Sequence, residues 1–128
     1  MSYYFSKILS SGFEEAIEKV TDELKKEGFG ILTEIDVAAT LKKKLDVDFR
    51  KYRILGACNP PFAYKALSAE DKIGTMLPCN VIVQELEDGK VEVAAIDPIA
   101  SMRAVENPSL GDIAIAVQTK LKAVIDNL

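Results

Sequence analysis

The sequence contains no histidine and no tryptophan, and it has only two cysteines among 128 residues. Without histidine there is no Ser-His-Asp or Cys-His nucleophile, no haem-histidine ligation and no ordinary mixed zinc site. Cys58 and Cys79 are too far apart for the local Cys-x-x-Cys pair of a metal or redox motif, so no metal site is expected. No apolar run approaches the ~20 residues that a membrane helix needs, so no membrane partner is expected either. The opening Met1-Ser-Tyr-Tyr-Phe-Ser-Lys7 lacks the basic-then-apolar pattern of an export signal. The expected setting is therefore cytoplasmic, with both thiols reduced. Basic excess is absent too: 16 Lys and Arg against 20 Asp and Glu give a net charge of -4. That balance, with no basic stripe interleaved with aromatics, argues against a nucleic-acid partner.

What is present is the pattern of one α+β domain over residues 1–128. Aromatic-rich residues 3–9 predict a first strand. Ser11 and Glu14 have the spacing of a capping box, and Phe13, Ile17, Val20 and Leu24 recur at helical period until Gly28 closes the helix. Residues 30–35 predict a second strand. Asp36 should cap a short helix with Val37, Leu41 and Leu45 facing inward and Lys42 to Lys44 facing water. A third strand over 51–58 runs into Asn59 and Pro60, which suit the N-cap and first position of a helix bearing Phe62, Ala63, Ala66 and Leu67. Residues 80–86 and 90–96 flank Asp88-Gly89, a strong hairpin signal, and a two-residue loop would pair Leu86 with Val91 and Asn80 with Asp97. Asp97-Pro98 should cap another short helix. Ser109 with Asp112 should start the last helix, lined by Ala114, Val117, Leu121, Val124 and Leu128. The predicted fold is a five-stranded antiparallel sheet in the order 2-3-4-5-1, with helices packed on it.

In that order the third and fifth strands end, and the fourth begins, at one edge of the sheet. Cys58, Asn59, Cys79, Asn80 and Asp97 then converge from three separated stretches, as the groups of a site must. The helix start beyond Cys58 favours negative charge, which suits either a reactive thiol with Cys79 as its resolving partner or a notch for a small ligand or anion. The plainer alternative assigns both thiols to the core as small hydrophobes, with Asn-Pro as an ordinary cap. Glu85 and Glu92 are expected to face each other across the hairpin on a wet surface. Both faces of that hairpin read as largely apolar, so the second face needs cover from the short helices at 37–45 and 60–68 or from another subunit. An aromatic first strand at the sheet edge points the same way, toward a homodimer.

Gly56-Ala-Cys-Asn-Pro-Pro61, Leu77-Pro-Cys-Asn-Val81, the Asp-Gly hairpin and Ile96-Asp-Pro98 resemble the "domain of unknown function 302" family. The likeness spans essentially the whole chain. It implies the strand–helix–four strands–helix fold shared with the TATA-binding-protein-like group, and it brings no biochemical role. It also implies a histidine where this chain has Tyr64, so any role of that imidazole is absent here. The function expected is a self-associating binding module for a small ligand or anion at the Cys-Asn edge, with no cofactor assigned. The alternative is a thiol-dependent redox protein or enzyme acting through Cys58 with Cys79.

Overall fold

The computed structural model describes residues 2–128. The chain runs β1 (Tyr4–Leu9), α1 (Phe13–Lys26), β2 (Gly30–Asp36), α2 (Val37–Leu45), β3 (Tyr52–Cys58), α3 (Pro60–Ala69), β4 (Cys79–Glu85), β5 (Val91–Ile96), α4 (Pro98–Ser101) and α5 (Gly111–Asp126). The five strands form one sheet in the order β1-β5-β4-β3-β2, and every neighbouring pair is antiparallel. Fold class and strand order are those the sequence predicts.

One face of the sheet makes the core. Val81, Val83, Val91, Val93 and Ala95 of the central strands meet Val20 and Leu24 of α1 and Leu121 and Val124 of α5, all of them almost wholly buried. Each of these valine and leucine side chains contributes about 1.5–3 kcal/mol by leaving water. The α1 stripe is the one read from the 3.6-residue period, and Gly28 follows the helix with a φ of 87°.

The hairpin register differs from expectation by one residue. Val81 stands opposite Ala95, Val83 opposite Val93 and Glu85 opposite Val91. The loop has three residues, because Leu86 and not Glu87 pairs with Lys90, through a 2.8 Å bond from the Leu86 N–H to the Lys90 carbonyl. Gly89 donates back to the Leu86 carbonyl at 2.9 Å and adopts a φ of 84°. Asn80 consequently falls opposite Ile96 rather than Asp97, and Glu92 faces Gln84 rather than Glu85. A one-residue slip exchanges the two faces of a strand. The valines therefore gather on the helix side, while Ile82, Ala94 and Ile96 share the other face with Asn80, Gln84 and Glu92. That face is mixed rather than apolar. Its side chains are exposed or half-buried, so neither short helical insertion seals it.

Two predicted caps are also corrected. The α1 N-cap is Gly12, which has no side chain to offer; Ser11 Oγ is buried without a partner and Glu14 turns to Arg53 at 3.1 Å. Ahead of α5 the capping side chain is Asn107, which accepts from the Ser109 N–H at 3.0 Å, and a 3-10 turn over Pro108–Leu110 leads into the helix. Asp36 and Asp97 do cap as predicted, each accepting a main-chain N–H at 3.0 Å.

The β2–α2 segment contributes nothing buried. From Gly30 to Ile54 no residue is sealed from solvent, and Leu45, expected to face inward, is 67% exposed. Val37 and Leu41 are only half-buried. The helical period of this stripe is present, but α2 sits at the sheet's edge, where the core does not reach it.

Candidate functional site

The end of the sheet where β3 stops and β4 begins opens into a hollow of about 300 Å³. Its floor is Ala57, Cys58 and Cys79. One wall is α3, through Phe62, Ala63, Ala66 and Leu67; the opposite wall is α5, through Ile113 and Val117. Phe29, Leu77, Pro98 and Met102 close the ends and Leu32 stands at the rim. Asn59 is the only amide in the lining, and no carboxylate, lysine or arginine contributes.

Strand pairing fixes the thiols. Cys79 lies directly opposite Ala57, one residue from Cys58, so the two Cα atoms are separated by one strand spacing and one residue of rise, roughly 6 Å. Successive residues of a strand point to opposite faces. The Cβ bonds therefore diverge, which disfavours a disulfide, and both cysteines are free. Burial pushes the Cys79 thiol up to about 11, with the neighbouring Cys58 adding in the same direction. A thiolate at that position is scarce near neutral pH.

Asn59 occupies the N-cap position of α3, but its side chain does not cap. Its Nδ2 donates instead to the Glu27 carbonyl at the end of α1, at 3.1 Å. The helix start it leads offers little to an anion. Pro60 and Pro61 carry no N–H, and the Ala63 N–H is spent on the Asn59 carbonyl at 2.9 Å, leaving Phe62 as the free donor of the first turn.

The structure thus brings Cys58, Asn59 and Cys79 together at the hollow and separates them from the other two predicted residues. Asn80 lies on the open face, in a second hollow of about 330 Å³ between Tyr4 and Tyr52. Asp97 accepts from Ile99 N at 3.0 Å and from Gln118 Nε2 at 3.1 Å, holding α4 and α5 together. The residues that sequence reasoning missed are the apolar walls: Phe29, Leu77, Met102, Ile113 and Val117. They come from four different segments, and nothing in a linear pattern distinguishes a pocket wall from a core stripe. Among the described residues no three Cys, Asp or Glu side chains are grouped to hold a metal ion. No helix among them is long and apolar enough to cross a membrane.

The profile described as "Domain of unknown function DUF302" matches residues 5–128. The chain belongs to the DUF302 family. A crystal structure described as the uncharacterized conserved protein DUF302 from Bacillus stearothermophilus is 30% identical to it, superposes with a TM-score of 0.90 and covers 98% of each chain. No curated protein matches it significantly. Among the DUF302 residues that first suggested the family, Cys58 and Cys79 line the hollow, while the Asp88-Gly89 hairpin lies at the other end of β4 and β5.

Proposed function

We propose that this DUF302 chain is a self-associating binding module that takes a small, uncharged, apolar molecule in the hollow between α3 and α5. The observation that carries this reading is the lining. It is apolar on every side, it is large enough for a small ring system, and it places one amide and two thiols among hydrocarbon walls. Ligand sites are commonly concave, mostly apolar and supplied with a few fixed polar groups. The absence of a lining cation, and the two prolines at the α3 start, favour a neutral ligand over an anion.

The thiol-enzyme reading has one observation behind it, the presence of both cysteines in the lining. The high pKa of Cys79 weighs against it, because a resolving thiol must ionise to attack.

The binding reading is tested by titrating the protein with N-phenyl-1-naphthylamine, a neutral dye that fluoresces in apolar surroundings. Saturable enhancement is expected, and Ala63→Phe, which fills the hollow from a half-buried position on α3, should weaken it at least tenfold. No enhancement, or equal binding by the variant, refutes the reading.

A further inference from the structure

The β2–α2 segment is built unlike the rest of the chain. Every other α-helix buries at least one side chain, whereas α2 buries none. Nine residues are also too few to hold a helix in water, since isolated helices shorter than ~12–15 residues are marginal and depend on packing of an apolar face. That face exists in the sequence, at Val37, Leu41 and Leu45. The chain that carries it leaves Leu45 two-thirds exposed.

The surroundings share this character. Ile35 of β2, and Val47 and Phe49 after α2, are large and exposed as well, at the β2 edge of the sheet, whereas the exposed Leu32 turns to the helix side and the rim of the hollow.

We infer that β2–α2 is the contact surface between two copies of this chain, related by a two-fold axis. This rests on the self-association part of the function proposed above and names its surface. A second copy is the occupant that the charges fit. An isologous contact needs a self-complementary patch. This segment carries Lys42, Lys43 and Lys44 together with Glu34, Asp36, Asp46 and Asp48. Lys42 pairs within the chain with Asp46 and Asp48, both at 3.2 Å. Lys43 and Lys44 make no ion pair among the described residues, and in a two-fold contact Lys44, beside the apolar stripe, can meet the partner copy's carboxylates. The β2 strand, paired on one side only, presents an unpaired edge in the same place.

The test measures the mass of the full chain in solution by light scattering at about 20 µM, with far-ultraviolet circular dichroism on every sample. Wild type should be a dimer. Leu45→Glu should be monomeric with unchanged helical signal, because Leu45 supports nothing in its own chain, while Tyr4→Lys on the opposite edge strand should stay dimeric. Lys44→Glu, on an exposed side chain, provides a second reading and should raise the dimer dissociation constant at least tenfold even if Leu45→Glu unfolds. A monomeric wild type overturns both the surface and the self-association on which it rests. A dimer that survives Leu45→Glu and Lys44→Glu overturns the surface alone and leaves self-association standing.

Discussion

Asn59 Nδ2 donates to the main-chain carbonyl of Glu27 at 3.1 Å, across 32 positions of sequence. The bond ties the end of α1 to the start of α3, and it does so beside Gly28, whose missing side chain leaves room for the amide. A helix-end carbonyl that loses its partner in a half-buried place costs about 1–3 kcal/mol. Asn59→Ala should lower the free energy of unfolding by that amount. Asn59→Asp should lower it further at neutral pH, because a carboxylate would then face a carbonyl oxygen. Urea unfolding followed by circular dichroism measures both, and a loss below about 0.5 kcal/mol for Asn59→Ala would mean the bond is incidental.

Cys79 gives a prediction with a definite sign. Its thiol ionises near 11 in the folded chain against a reference value of 9.0, because burial opposes the charged form. The folded state therefore holds this proton over a pH range in which the unfolded state has released it. The contribution to stability is fully present below about pH 9 and is lost as pH rises through 11. Lysines and tyrosines titrate in the same range, so the informative quantity is the difference from Cys79→Ala. That difference should shift against wild type by of order 2 kcal/mol between pH 8 and 11. A flat difference would show that Cys79 is more open to water than the structure places it. Iodoacetamide at pH 8 should likewise modify Cys79 much more slowly in the folded protein than in urea.

Gly89 holds the hairpin loop with a φ of 84°, in the left-handed region where a Cβ crowds the following carbonyl. Gly89→Ala should cost about 1–2 kcal/mol. Gly89→Asn should cost less, since asparagine tolerates that region better than other residues with side chains. Equal costs for the two, by thermal unfolding, would contradict a backbone origin.

The same glycine shows where the sequence was legible and where it was not. Alternation, turn residues and helical period were enough for the five strands, their order and the α1 and α5 stripes. Asp88-Gly89 marks a hairpin but admits two loop lengths, because a glycine serves a two-residue turn and also the left-handed position of a three-residue loop. The choice between them rests on burial. Only the three-residue loop puts Val81, Val83, Val91, Val93 and Ala95 on one face, and that demand was available from the residues themselves. The capping boxes misled for another reason. Ser11-x-x-Glu14 has the right spacing, but Arg53 draws Glu14 away, and a partner 39 positions distant has no local signature. The hollow was half legible. The Cys-Asn pairs located its floor, while its walls exist only once α3 and α5 are folded against the sheet.

Gly56 supplies the sharpest test of the packing beside that floor. It lies in β3 between Thr33 of β2 and Asn80 of β4, one residue before Ala57. A Cβ at this position would overlap Thr33 Oγ1 and would reach within 2.8 Å of Pro78 Cγ. Real side chains do not accept either approach, so the strands must separate or Thr33 must turn aside. Overpacking of this kind costs about 1–3 kcal/mol. Gly56→Ala should therefore destabilise the chain by that amount, although alanine is the smallest change available. Thr33 is exposed on an edge strand and can be shortened without loss of core. The double variant Gly56→Ala/Thr33→Ala should recover part of the loss and not all of it, because the Pro78 ring remains. A double-mutant cycle by urea unfolding reads the coupling directly. If the two changes are simply additive, the close approach of β2 to β3 at this point is wrong; if recovery is complete, Pro78 does not press on Gly56.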